Sequence, residues 1–335
     1  MPKKALITGI TGQDGSYLAE HLLAEGYEVH GVVRHTGALD GSWIRHLYRD
    51  PAIHGHRLFL HSADLLEPAT LRRALIKASP DELYHLAGQS HVGLSFEIPE
   101  STCEMTAMGT LRLLEMMRDL PKPCRLFHAS SSEVFGQPTQ SPQDEQTPIA
   151  PVTPYGCAKA FATQMVTIYR RNFGLFAGNG IMFNHESPRR GEHFVTRKIC
   201  RAAAAIKLGL EKELVLGDTT TRRDWGHARD YVRAMWLMLQ QTEPDDFVIA
   251  TGQLHTVQEV VEAAFATVKL EWQAYVKQDS RFLRPTEPLG LVGNAAKAHQ
   301  RLGWQPQVSF QELMREMTEA ELEALTSPTR SEKRD

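Results

Sequence analysis

The stretch Thr8-Gly9-Ile10-Thr11-Gly12-Gln13-Asp14-Gly15 constrains this chain more than any other. Its glycines are spaced GxxGxxG. They follow a short apolar run at residues 4–8 and precede a stretch, 13–25, in which Leu18, His21, Leu22 and Ala24 fall near one helical face, with Gly26 as a stop. Glycine there permits a tight strand-to-helix turn and close approach of a ligand to the backbone. The N–H groups and positive dipole end of the helix then face a pyrophosphate. By itself such a turn is equally a plain strand–helix connection. A second strand at 27–33, at the distance a βαβ unit requires, argues for a dinucleotide site on Gly9, Thr11, Gly12, Gln13, Asp14 and Gly15.

The alternation continues. Strand-like runs at 57–60, 82–86, 125–129 and 176–181 alternate with helical stretches at 67–78, 102–118 and 155–171. This order predicts an α/β fold: a doubly wound parallel Rossmann sheet with right-handed crossovers. After residue 184 the rhythm changes, with helices at 194–207, 228–241, 257–268, 295–302 and 310–325 and a strand at 247–250. The expected organisation is a Rossmann domain over 1–184, with returning segments near 225–255. A smaller C-terminal α/β substrate-binding domain takes 185–224 and 256–330. No repeat, low-complexity block or flexible linker separates them, so the two are expected to pack tightly. The last eight residues are polar and expected to fray.

Composition removes several function classes. The 335 residues carry 37 basic and 40 acidic side chains, a net charge of −3. Nucleic acid is therefore not expected as the main partner, because phosphate neutralisation needs a basic face. No uncharged apolar run approaches the roughly 20 residues of a membrane helix, and the apolar run at 5–7 is too short for a secretory leader. Cys103, Cys124, Cys157 and Cys200 are widely spaced and form no CxxC pair. Neither a metal site nor a disulfide framework is expected, and a reducing cytoplasm is the simplest compartment.

Where an NAD-preferring site carries Asp or Glu after its second strand, this chain has Val33-Arg34-His35. An arginine there suits a 2′-phosphate, so NADP is expected over NAD. Asp64-Leu65, after the third strand, is placed to flank the adenine. Leu86-Ala87-Gly88-Gln89-Ser90, after the fourth, is placed near the nicotinamide ribose. Tyr155-Gly156-Cys157-Ala158-Lys159 is a YxxxK spacing, and positions four apart share a helix face. The lysine is expected to hold the ribose and to lower the tyrosine pKa through its charge. Tyr155 would then exchange a proton with a sugar hydroxyl, and one of Ser130, Ser131 and Ser132, at the end of the fifth strand, would bond the same oxygen.

Together these motifs resemble the extended short-chain dehydrogenase/reductase superfamily. The resemblance narrows at GITGQDGSYLAEHLL (9–23), SSSEVFG (130–136), PYGCAK (154–159), FNHESPRRGEHFVTRKI (183–199) and RRDWGHARDYV (222–232). These stretches are similar to the GDP-mannose 4,6-dehydratase family. Scattered matches at 247–252, 284–287 and 302–304 extend the similarity over nearly the whole chain. The resemblance implies that Ser131 stands for the family's catalytic threonine, that Glu133 removes the C5 proton, and that Tyr155 and Lys159 are the family's tyrosine and lysine. It implies cofactor contacts at Lys159, His185 and Arg190. It implies substrate contacts at Ser90, Glu133, Asn184, Val195, Lys198, Arg223, Arg284 and Glu287. The implied reaction converts GDP-mannose to GDP-4-dehydro-6-deoxy-mannose: oxidation at C4 by NADP+, loss of water across C5–C6, and return of the same hydride to C6. The product would supply a 6-deoxyhexose such as fucose or rhamnose.

One segment departs from the family. After the second strand the family carries two arginines and a serine-rich loop that reaches a neighbouring subunit, whereas this chain has Arg34-His35-Thr36-Gly37-Ala38. A homodimer through the helices at 102–118 and 155–171 is therefore the expected assembly, with a homotetramer left open. Recognition of GDP does not distinguish a hexose from a heptose, so the same chemistry on a GDP-heptose remains an alternative. A GDP-4-keto-6-deoxyhexose reductase would need Tyr155 and Lys159 but not Glu133. A non-catalytic nucleotide sensor on the same fold would need none of the four catalytic side chains.

Overall fold

The computed structural model describes residues 2–34, 36–279 and 290–327. Six strands, β1 (Lys4–Thr8), β2 (Glu28–Val33), β3 (Leu58–Ser62), β4 (Glu82–His85), β5 (Arg125–Ser131) and β6 (Ala177–Met182), join an edge strand, Phe247–Ile249, in one seven-stranded sheet. From that edge the order is β6, β5, β4, β1, β2, β3, and every pairing is parallel. Chain order reverses between β1 and β4, since β2 and β3 follow on one side of β1 and β4, β5 and β6 on the other. Ligands of such sheets bind at that switch, beyond the carboxyl ends of the strands.

Parallel strands buried on both faces read as apolar runs. Here Leu6 and Ile7 of β1 and Leu126 and Phe127 of β5 are fully buried. On one face the helix Gln13–Ala24 and the helix Ala228–Leu239 bury Leu18, Leu22, Tyr231 and Met235. On the other, the helices Pro68–Ala78, Gly109–Arg118 and Pro154–Phe173 bury Leu71, Leu113 and Val166. Each such aliphatic side chain stabilises by about 2 kcal/mol. The helices Val195–Lys207, Val257–Thr267 and Phe310–Thr326 build a separate cluster around Ile199, Val261, Phe265 and Leu313.

Element types follow the sequence expectation, and the differences have local causes. The helix expected at 102–118 begins earlier. It runs Pro99–Cys103, passes through a π turn at Glu104–Met108, and continues as Gly109–Arg118. The helices Arg45–Arg49 and Val92–Glu97 were not expected, since neither is long enough to show a hydrophobic period. The same holds for the two-stranded pairs Asn184–Glu186 with Trp225–His227, Leu214–Leu216 with Val276–Gln278, and Arg222–Arg223 with His255–Thr256. The polar tail at 328–335 lies outside the described residues. Among the described residues no helix is long and apolar enough to cross a membrane. Nor does any group of three or more His, Cys, Asp or Glu gather there as metal ligands. All four cysteines are free.

Candidate active site

The carboxyl ends of β1, β2, β4 and β5 open into one cavity of about 550 Å³. Gly9 has φ +78°, and a Cβ there would lie 3.0 Å from the Ala87 backbone nitrogen. A Cβ at Gly15 would meet the Gly9 carbonyl oxygen at 2.2 Å. The glycines are thus required by the closeness of the turn to helix Gln13–Ala24 and to the strand beside it. The Thr8 hydroxyl accepts from the N–H groups of Leu86 and Ala87, each at 3.2 Å, and fixes the facing wall.

The lining brings together Gly9, Thr11, Gly12, Gln13, Asp14, Gly15, Arg34, Asp64, Leu65, Leu86, Ala87, Gln89, Ser90, Lys159, His185 and Arg190. A glycine cradle at a helix N-terminus, an exposed arginine beyond β2 and a second arginine opposite together fit a dinucleotide carrying a diphosphate. The side chains of Gln13 and Asp14 are engaged elsewhere. The Gln13 amide donates to the His185 carbonyl at 3.0 Å and accepts from the Ser187 hydroxyl at 2.8 Å. The Asp14 carboxylate meets His185 Nε2 at 2.8 Å. Both tie the turn to the segment after β6. The Arg190 guanidinium lies 3.5 Å over the Phe194 ring and 3.1 Å from the Glu186 carboxylate.

The reactive end is set by two local structures. Thr153 caps helix Pro154–Phe173 by accepting from Gly156 N at 2.9 Å, with Pro154 in the first turn. This starts the helix just before Tyr155 and puts Tyr155 and Lys159 on one face, both buried in the cavity wall. A Cβ at Gly156 would stand 2.7 Å from the Glu133 carbonyl oxygen, so glycine lets the turn Ser132–Val134 close against this helix. Ser131 ends β5 and its hydroxyl accepts from Glu133 N at 3.2 Å. Ser130 is instead held by Thr163 at 2.6 Å within the core. Among the three serines it is therefore Ser131 that is free to bond Tyr155.

The electrostatics differ from the sequence expectation in one respect. Burial pushes the Tyr155 phenol up to about 12, against a hydrogen bond with Ser131 that lowers it, and the Glu133 carboxylate pushes it the same way as burial. The Lys159 ammonium lies 6.0 Å from the Tyr155 ring centroid and donates to the Ala129 carbonyl at 2.6 Å. Burial brings the lysine itself down to about 8. Desolvation opposes charge on both groups.

Among the residues expected to meet substrate, Ser90, Glu133 and Asn184 line the cavity. Val195, Lys198 and Arg223 stand outside its lining. Val195 is the first residue of helix Val195–Lys207, Lys198 Nζ donates to the Val215 carbonyl at 3.0 Å, and Arg223 belongs to the strand pair Arg222–Arg223 with His255–Thr256. Arg284 and Glu287 lie outside the described residues. Val92, Met105 and Phe194 complete the wall without having been anticipated. Met105 enters through the π turn, which no sequence period announces.

Known proteins agree with this arrangement. A sequence profile of the family described as GDP-mannose 4,6 dehydratase matches residues 6–317. The GDP-mannose 4,6 dehydratase 2 of Arabidopsis thaliana is 51% identical over 328 residues, covering 96% of this chain and 88% of the relative. Among solved structures, RMD from Pseudomonas aeruginosa, complexed with NADPH, superposes with a TM-score of 0.79 at 25% identity, covering 96% of this chain and 100% of the other. The dTDP-glucose 4,6-dehydratase DesIV of Streptomyces venezuelae, with NAD bound, gives 0.81 at 25% identity, covering 94% and 96%. With the glycine turn, Ser131, Glu133, Tyr155 and Lys159 gathered in one wall, and with this similarity along almost its entire length, the chain belongs to the GDP-mannose 4,6-dehydratase family.

Proposed function

We propose that this chain converts GDP-mannose to GDP-4-dehydro-6-deoxy-mannose and water, with NADP as a cofactor that is regenerated in each cycle. The observation that carries the reading is the placement of Glu133 in the same cavity wall as Ser131, Tyr155 and Lys159. A reductase or epimerase needs only a proton donor and acceptor at C4. A carboxylate beside them supplies the second base that elimination requires.

A bound nicotinamide would supply hydride acceptance from C4 and hydride return to C6, and Lys159 would hold the ribose that carries that ring. Tyr155, in its ionised form, takes the proton of the C4 hydroxyl, and Ser131 holds the same oxygen. Once C4 is a carbonyl, the C5 hydrogen is acidic and Glu133 removes it. Glu133 or Ser131 then protonates the departing C6 hydroxyl, which leaves as water, and a proton restored at C5 balances the one that Tyr155 took from the C4 hydroxyl.

Asn184 and Ser90 face the sugar in this reading. Val195, Lys198 and Arg223, outside the lining of the cavity, serve the nucleotide end, and the family resemblance assigns Arg284 and Glu287 to the same end. The nucleotide-cofactor domain is 1–184 with 225–255, and the separate cluster of helices belongs to the substrate-binding domain. Exposed Phe96, Phe161 and Ile168, on the helices Val92–Glu97 and Pro154–Phe173, support a homodimer through this face.

Incubating the purified protein with GDP-mannose, without added reductant, tests the activity. The expected result is a nucleotide sugar lighter by one water and carrying a 4-keto group. Recovery of unchanged GDP-mannose would overturn the reading, and turnover of a GDP-heptose alone would move the substrate while keeping the chemistry.

Preference for NADP is assigned to Arg34, an exposed side chain at the cavity edge beyond β2, with no acid in the position that would hold a ribose diol. Arg34→Ala should weaken NADPH by about tenfold or more, the scale of a lost charge-assisted bond, and NADH far less. Equal losses, measured as dissociation constants, would remove Arg34 from the site.

A further inference from the structure

The first turn of helix Gln13–Ala24 carries an acid, Asp14, in the wall of a cavity read above as a diphosphate site. A carboxylate there opposes the ligand unless its charge is cancelled. Its partner is His185, whose Nε2 lies 2.8 Å from Asp14 Oδ2. The other ring nitrogen, Nδ1, lies 2.7 Å from the Phe183 carbonyl oxygen. A carbonyl only accepts, so Nδ1 carries a proton. An ionised carboxylate also only accepts, so Nε2 carries one too. The geometry thus places an imidazolium between two acceptors.

Burial by itself would drive this ring neutral. The charge and hydrogen bond of Asp14 outweigh it and hold the His185 pKa above its ordinary value, against an opposing push from Arg190. On Asp14, burial acts upward, and His185 overcomes it to hold the carboxyl below its ordinary value. The remaining groups around the ring are Tyr231 and Glu186. Tyr231, from helix Ala228–Leu239, stacks on it at 4.6 Å with its phenol pushed well above the ordinary range by burial. Glu186 follows His185 in the same short strand and faces Arg190 at 3.1 Å. Tyr155 faces the pair across the cavity and feels the Asp14 charge.

We propose that Asp14 and His185 are positioning residues that act as one charge-compensated pair: the imidazolium cancels the carboxylate, so that the phosphate turn can be pinned to the segment after β6 without repelling a dinucleotide diphosphate. The charges in this wall decide the matter. Glu186 is paired with Arg190, and Asp14 with His185. Loss of the second proton from His185 removes the countercharge of Asp14 in its own pair, beside the diphosphate. Gln13, which donates to the His185 carbonyl, keeps the two segments in register but carries no charge. The inference rests on the dinucleotide reading of the cavity.

The test combines two measurements on the full-length protein. In the cofactor-free protein with isotope-labelled histidine, the His185 ring signal, assigned by its loss in His185→Gln, should show both nitrogens protonated near neutral pH. Its midpoint should lie above the ordinary histidine value of about 6.5 and fall in Asp14→Asn. The dissociation constant of NADPH, by calorimetry, should rise about tenfold as pH increases through that midpoint, which corresponds to one unit of further pKa shift on binding. The sign follows from the ligand favouring the protonated ring. His185→Gln should bind NADPH more weakly with this dependence gone. Asp14→Asn combined with His185→Gln should recover most of the loss, because no uncompensated carboxylate remains.

A ring carrying one proton near neutral pH overturns the proposal. So does a double variant that binds no better than His185→Gln, the result for a purely structural latch. Failure of the parent protein to bind any nicotinamide dinucleotide would count against the cavity reading instead, and the ring's protonation state would still decide whether the pair exists.

Discussion

Glu133→Gln is expected to separate the two halves of the reaction. The amide keeps the length and shape of the side chain but cannot accept the C5 proton. The backbone N–H of residue 133 still donates to Ser131, so the turn Ser132–Val134 should stand. Oxidation at C4 draws on Tyr155, Ser131 and Lys159, none of which is altered. The variant should therefore still oxidise bound GDP-mannose at C4, seen as the absorbance of reduced nicotinamide on the enzyme. Exchange of solvent deuterium into C5 should be slow or absent. The 4-keto-6-deoxy product should fall by about 10²-fold or more, the usual scale for a lost general base. Removing a buried-side carboxylate also lifts its upward push on the Tyr155 phenol, so the first half-reaction should not be slowed. Formation of product at the parental rate would make Glu133 a bystander and return weight to the reductase reading.

Tyr155→Phe is expected to stop both halves. The phenol oxygen is the group that takes the C4 proton, and phenylalanine fills the same buried volume without it. Helix Pro154–Phe173 should be undisturbed, because its start depends on Thr153 and Pro154. Turnover should drop by about 10²-fold or more while GDP-mannose binding, measured directly, is retained. No reduced nicotinamide should accumulate, which distinguishes this variant from Glu133→Gln. Near-normal turnover would remove Tyr155 from the chemistry. Ser131 alone cannot replace it, since a serine hydroxyl is a far weaker acid than a phenol.

Much of the fold was legible because its signals are contiguous. The GxxGxxG turn, the strand before it and the amphipathic helix after it occupy one short stretch, and their geometry is dictated by backbone sterics within that stretch. The YxxxK pair is likewise local, because four residues make one helical turn. The resemblance to a family then added Glu133, whose role no spacing rule would have supplied. The elements that escaped, such as Val92–Glu97 and the pair Asn184–Glu186 with Trp225–His227, are too short to hold a period and exist only because distant chain covers them.

The sequence by itself determined the Rossmann architecture, the position of the dinucleotide turn and the presence of serine, glutamate, tyrosine and lysine in one order along the chain. Only the tertiary structure decided how those side chains are used. Ser130 is locked to Thr163 while Ser131 is left to Tyr155, although the two are adjacent in sequence and of one kind. Asp14 is paired with a histidine 171 residues away rather than turned to the ligand. Burial raises the Tyr155 phenol where the lysine spacing suggested the opposite. The physical reason is common to all three. Backbone conformation is set by neighbours along the chain, whereas desolvation and charge are sums over whatever folding brings near, and those neighbours come from every part of the sequence.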